Sequence, residues 1–365
     1  MILVILVTLK KEQGANYLGY LERKNNRLKV TIYDVAEEAG VSIATVSKVI
    51  NNRGNMRDKT RQKVKNVMAT LNYQPNMMAS ALMGKGTKTI GLLVNDISNP
   101  IFSDLARIIE NRSHEKGYSV IICNTDDNRD KELKYLKVLR NKQVEGLIVG
   151  SSFKDKAMLN EMRYHNIPLV MLTHMDQEVL ASKIAVDDYK GGYMATEHLL
   201  ENGHRRIGLI VELADSSTKR LIGYKEALKD WNIGVDPKLM IRTSASVAKG
   251  KQKFHQLYQN NYKNPPTAIF TSNNQLAVGV IAAAKSLELA IPVDLAIVSF
   301  DDTILAETTE PPITTIAQPI ETMGNEVVDL LIKEIDDKMN EVHTIMHKPQ
   351  LIVRQTTAEK MKDEV

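Results

Sequence analysis

VTIYDVAEEAGVSIATVSKVINN, residues Val30 to Asn52, holds two short helical patterns joined by a tight break. Thr31 with Asp34 three residues later makes a start of the capping-box type, with Asp in place of the usual Glu or Gln. Ile32, Val35, Ala36 and Ala39 follow at helical spacing and form one apolar stripe. Gly40 supplies the turn, because glycine enters the left-handed region without steric cost, and Ser42 is placed to cap the next helix. That helix, about Ile43 to Ile50, buries Val46, Val49 and Ile50. It leaves Ile43, Ala44, Thr45, Ser47 and Lys48 between the corner and the outside, where a core helix would be apolar. A helix-turn-helix has this form, its second helix entering the DNA major groove. An ordinary helical hairpin shares the pattern, so the rest of the chain decides between them.

Charge is the first arbiter. The net charge of +4 says little, but its distribution says more. Residues 30–88 carry nine basic and four acidic side chains, a net +5; residues 1–29 carry a net +4, and the remainder a net −5. A basic front on an acidic body is the footprint expected of a nucleic-acid-binding head. The 365 residues allow two or three domains, and 43% hydrophobic with 25% charged residues places the chain among ordinary soluble proteins. The lone cysteine, Cys123, excludes an intrachain disulfide framework and fits a reducing cytosol. No apolar run approaches the roughly 20 residues that span a bilayer, so no membrane partner is expected. Met1 to Leu9 is apolar but lacks the leading basic residues and cleavage site of a secretory signal, and residues 1–29 are taken as an extension.

After Asn52 a third helix opens at Asp58, with Val64, Val67, Met68 and Leu71 on one face and Lys59, Arg61, Lys63 and Lys65 on the others. Pro75 ends this part of the chain by pushing its predecessor out of the helical region. Asn76 to Lys85 has helix formers for only about two turns, a linker that becomes helical when something holds it. From Thr89 short β-branched or Leu-rich runs (IGLLVN, SVIICN, GLIVG, PLVML, IAV, RIGLIV, TAIFTS, AIVSF) alternate with amphipathic helices. Continuous apolar strands with helical crossovers predict parallel sheets covered on both faces, and so many strands need two of them.

The motifs TIYDVAEEAGVSIATVSKVIN, KTRQKVKNVMATLNYQPN and MASALMGK, with IGLLVNDISNPIF, QVEGLIVG, VDDYKGGYMATEHLLENGHRRIG, PTAIFTSNNQLAVG and IVSFDDT…PPITTIAQP behind them, resemble the LacI/GalR family of bacterial transcriptional regulators over roughly Val30 to Thr357. The resemblance implies an α/β core of two doubly wound parallel-sheet subdomains, periplasmic-binding-protein-like, preceded by an all-α helix-turn-helix head. The expected bounds are 30–75 for the head, 76–88 for hinge helix and linker, 89–186 with 318–348 for the first core subdomain, 187–317 with 349–357 for the second, and 358–365 for a tail. The chain would cross between the subdomains near Val186, Ala317 and Pro349.

By the same resemblance Ile43, Ala44 and Lys48 face bases, Lys48 reaching guanine acceptors and Ala44 a thymine methyl. Thr45, Ser47, Asn51 and Arg57 match phosphate or mixed contacts, and Thr31, Ser42 and Tyr73 complete the set at the helix starts and the head's end. Leu82 matches a leucine that wedges into a minor-groove step, with Asn76 and Ala79 beside it. The effector cleft takes Asn95, Asp96, Phe102, Gly150, Ser151 and Thr173 from one subdomain and Arg220, Asn273, Asp301 and Gln318 from the other. Carboxylates, amides and an arginine around an aromatic ring suit a polyol, whose hydroxyls donate and accept. Thr173 and Asn274 stand where the family often has acids, which admits a sugar phosphate as well as a sugar.

The expected protein is a cytoplasmic homodimeric regulator on a pseudo-palindromic double-stranded operator, a repressor with a carbohydrate-like effector. A regulator gated by a phosphocarrier corepressor is one alternative. A solute-binding protein is another, and it would need an export signal and no DNA head. No phosphate loop, zinc-protease helix or nucleophile elbow marks an enzyme, and no cofactor or metal is expected. His343 and His347, at helical spacing in a charged stretch, are read as a solvated pair.

Overall fold

The computed structural model describes residues 30–50, 56–73, 86–150, 152–173, 175–337 and 341–357. The chain divides into two compact units, up to Thr87 and from Lys88.

In the first unit, helices α1 (Ile32–Ala39), α2 (Ile43–Ile50) and α3 (Asp58–Thr70) enclose a small core. Thr31 starts α1 as its spacing predicts: its backbone N–H and its hydroxyl both donate to Asp34 Oδ2, each at 2.7 Å. Gly40 ends α1 at φ 61°, and the Val41 N–H donates to the Ala36 carbonyl at 3.0 Å. Ser42 then caps α2, its Oγ accepting from the Thr45 N–H at 3.2 Å. Val35, Ala36, Ala39, Val46, Val49 and Val64 form the buried centre, with Val67, Met68, Leu71 and Tyr73 packed on it.

The second unit contains two six-stranded sheets. In the first, β1 (Thr89–Val94), β2 (Ser119–Asn124), β3 (Gly146–Gly150), β4 (Leu169–Leu172), β5 (Ser182–Val186) and β11 (Thr344–His347) lie in the order β11-β5-β4-β3-β1-β2, all parallel. In the second, β6 (Ile207–Glu212), β7 (Met240–Thr243), β8 (Ala268–Thr271), β9 (Ala296–Phe300), β10 (Thr314–Ala317) and β12 (Gln350–Ile352) lie in the order β12-β10-β9-β8-β6-β7. Only β12 runs antiparallel, against β10. Every residue of β1, β3, β4 and β9 is buried, as sheets covered on both faces require.

The covering helices are α4 (Pro100–Glu115), α5 (Arg129–Asn141), α6 (Lys156–Tyr164), α7 (Asp188–Glu201), α8 (Asp215–Asp230), α9 (Val247–Asn260), α10 (Asn274–Ser286), the short α11 (Ile304–Thr308) and α12 (Ile320–Asp337). The chain leaves the first sheet after β5, returns to it through α12 after β10, and leaves it again after β11. The fold class is the expected one, with local corrections. Strands β7, β10, β11 and β12 were not among the predicted runs, and the second sheet is mixed at its β12 edge. His343 and His347 do not share a helix face: His347 is in β11 and hydrogen-bonds Glu326 Oε2 at 2.8 Å, so it is not a solvated residue. Pro100 to Phe102 form the first turn of α4 behind the Asn99 cap.

Candidate DNA-binding head and effector cleft

On α2, Val46 and Val49 anchor the helix while Ile43, Ala44 and Lys48 are exposed, Ile43 by 36%. Thr45 and Ser47 are half-buried, the Thr45 hydroxyl lying 2.9 Å from that of Ser42. Arg57 is exposed just before α3. Tyr73 packs on the core of the head, and burial raises its phenol above the ordinary value. Thr31 is engaged in the cap. Asn51, Asn76, Ala79, Leu82 and Ser151 lie outside the described residues. Tyr33, absent from the expected set, is 66% exposed in the first turn of α1.

At the carboxyl ends of the second sheet, four of the expected effector residues join one buried network. Arg220 on α8 donates from Nε to Asp188 Oδ1 at 2.8 Å, both side chains being almost fully buried. Its Nη1 donates to the Ser272 carbonyl, and its guanidinium lies 3.5 Å from the Phe300 ring centroid. Such depth needs close backbones: a Cβ on Gly192 of α7 would meet the Arg220 carbonyl oxygen at 2.2 Å. Asp301 follows β9 at φ 74°, and its Oδ1 accepts from Gln318 Nε2 at 2.6 Å. Asn273 caps α10 through the Leu276 N–H and donates to Glu212 Oε2 at 3.0 Å.

Glu212 and Asp188 were not anticipated. Glu212 closes the apolar run of β6 and looks, in sequence, like a solvated strand end. Burial instead pushes its carboxyl up to about 7; Arg220 pulls the other way, and Asp301 adds to the rise. Burial likewise raises Asp301. For Arg220, burial is outweighed by Asp188, Asp301 and Glu212, which hold the guanidinium charged.

The first sheet offers Asn95 and Asp96 after β1 and Gly150 at the end of β3. Asp96 Oδ1 is occupied by the Ser98 N–H and hydroxyl, at 2.9 and 2.7 Å. Phe102 packs on the core of this sheet, so its ring is only partly open. Thr173 holds φ 66°, a costly conformation for a β-branched residue. It lines a cavity of about 210 Å³ with Lys156 and Asp176 on one side and Asp188, Asp215 and Lys219 on the other. Ser152 bridges the two sides, 3.3 Å from Asp215 Oδ2. Arg220 reaches this cavity through its partner Asp188. Buried acceptors without a hydrogen-bond partner remain on Asn95 Oδ1 and Gln318 Oε1, beyond the carboxyl ends of β1 and β10.

Residues 31–76 match the family described as bacterial regulatory proteins, lacI family, and residues 196–357 match the periplasmic binding protein-like domain. The HTH-type transcriptional regulator DegA of Bacillus subtilis is 43% identical over 339 residues, covering 91% of this chain and 99% of DegA. The chain belongs to the lacI family. It is therefore a DNA-binding transcriptional regulator and not an enzyme. Among solved lacI-family structures, the lac repressor dimer bound to operator and the anti-inducer ONPF superposes with a TM-score of 0.80 at 30% identity, over 90% of this chain and all of that one. A lacI-family regulator from Enterococcus faecium with bound ribose gives 0.69 at 31% identity, over 75% of this chain and all of that one. Among the described residues no helix is long and apolar enough to cross a membrane.

Proposed function

We propose that this regulator is a cytoplasmic homodimeric repressor whose operator affinity is set by a carbohydrate-like effector held between the two core sheets. The observation that carries the reading is the buried Arg220–Asp188 pair beside Asp301, with unpartnered acceptors on Asn95 and Gln318. Buried ionic groups add little to stability over an apolar core of equal volume, so their cost suits a site that must recognise hydroxyls. The sugar named in the ribose complex supports the same class.

On the DNA side, Ile43, Ala44 and Lys48 read bases while Thr45, Ser47 and Arg57 set register, and the paired hinges centred on Leu82 meet at the middle of a pseudo-palindromic site. Effector favours one closure of the core and so one hinge spacing, a population shift limited by its difference in affinity for the two states. The test is operator binding by the full chain, using its own promoter region, across a panel of sugars and sugar phosphates. A sugar that moves the operator Kd supports the reading. Indifference to all of them, with capture of a phosphocarrier protein by the operator-bound form, assigns control to a corepressor instead.

A further inference from the structure

Glu212, at the carboxyl end of β6, keeps acceptor capacity that its neighbours do not fill. Asp188 has the Nε of Arg220, and Asp301 has the amide of Gln318. Glu212 accepts only from neutral groups, Ser217 Oγ at 3.3 Å on one oxygen and Asn273 Nδ2 at 3.0 Å on the other. A carboxylate has about four lone-pair sites, so each oxygen can take a further donor. Around the cavity and the network beneath it, among the described residues, five carboxylates (Asp176, Asp188, Asp215, Glu212, Asp301) face three cations (Lys156, Lys219, Arg220). Lys156 is already bound to Asp176 at 2.6 Å and Glu178 at 3.2 Å. Unpartnered acceptors on Asn95 and Gln318 add to the same bias. The site holds more acceptors than cations, Lys219 being the one of the three cations without an ion pair among the described residues, and its complement is a ligand that donates.

We propose that Glu212 is the specificity-determining carboxylate of this cleft, accepting a hydrogen bond from a hydroxyl or ammonium of an uncharged or aminated sugar and turning away phosphorylated ones. The proposal rests on the cleft being the effector site and narrows the class that site takes. The groups facing Glu212 are Ser217 and Arg220 from α8, Ser272 and Asn273 before α10, and Asp301 after β9; the Ser272 hydroxyl accepts from the Glu212 N–H at 2.9 Å. None offers it a cation of its own, since Arg220 is committed to Asp188 and the Ser272 carbonyl. Donation to a group that titrates near neutrality also strengthens as the pH rises.

The test is calorimetric titration of the full chain with matched sets: glucose, glucosamine and glucose 6-phosphate, then ribose and ribose 5-phosphate, at pH 6 and pH 8. Wild type is expected to prefer an uncharged or aminated sugar over its phosphate by tenfold or more, and to bind the uncharged one more tightly at pH 8. Glu212→Gln, nearly isosteric, should lose roughly tenfold in that affinity and the pH dependence with it. Glu212→Asp, which keeps the charge but draws it back by one methylene, should retain the pH dependence at reduced affinity. Preference for a phosphate, or unchanged discrimination in Glu212→Gln with a wild-type melting temperature, overturns the proposal alone. Binding of none of the five sugars overturns the sugar-effector reading together with it.

Discussion

At the scale of single residues, the head and the cleft differ in how plainly they can be read. Lys48 is exposed at the end of a helix fixed by Val46 and Val49, and both its exposure and its neighbours follow from a 3.6-residue period. Lys48→Ala should relax discrimination at one base position by about 1–3 kcal/mol, measured as operator Kd across single-base variants. An equal loss on every sequence would make it a phosphate contact. Glu212 shows the opposite case, because nothing local distinguishes a half-buried strand-end acid from a solvated one. Its folded value of about 7 lies above the usual 4.5, so its contribution is fully present below 4.5 and is lost as pH rises through 7. Ligand-free wild type should therefore lose stability between pH 4.5 and 7 relative to Glu212→Gln, by on the order of 3 kcal/mol at most. Parallel melting curves of the two proteins across that window would show burial to be inconsequential.

Elements were legible where apolar runs were long. β1, β3, β4 and β9 are buried throughout and stand out as continuous hydrophobic stretches. The strands that escaped are short and edge-like or threonine-rich. β11 alternates exposed and half-buried residues, and β12 has three residues. β10 buries Thr314 and Thr315, whose hydroxyls are satisfied by Thr357 at 2.8 Å and the Asp301 carbonyl at 2.7 Å, partners distant in sequence. The α7–α8 contact was equally hidden, since a glycine required by a neighbouring backbone looks like any other. With its new Cβ 2.2 Å from the Arg220 carbonyl oxygen, Gly192→Ala must push α8 outward and cost about 1–3 kcal/mol or more. Its melting temperature should fall by several degrees, with weaker effector binding as Arg220 shifts. Gly234→Ala, which meets nothing within 4 Å, should leave both unchanged and serves as the control.

For the whole molecule, the proposed coupling of effector and operator is a statement about free energy, and it constrains two measurements at once. If effector changes operator affinity by some factor, operator must change effector affinity by the same factor, typically 5–150-fold for regulated proteins. Titrating effector into the free regulator and into the operator complex should give two Kd values whose ratio equals the shift in operator Kd with saturating effector. Leu82→Ala adds a second constraint. If the hinge acts only when the operator holds it, this variant should weaken operator binding yet leave effector affinity without DNA at the wild-type value. The variant would then shrink both arms of the cycle together, because the coupling passes through the segment it disables. Reciprocity between the arms with wild-type coupling in Leu82→Ala would send the coupling by another route, while unequal arms at equilibrium would mean that effector and operator act on different populations of the protein.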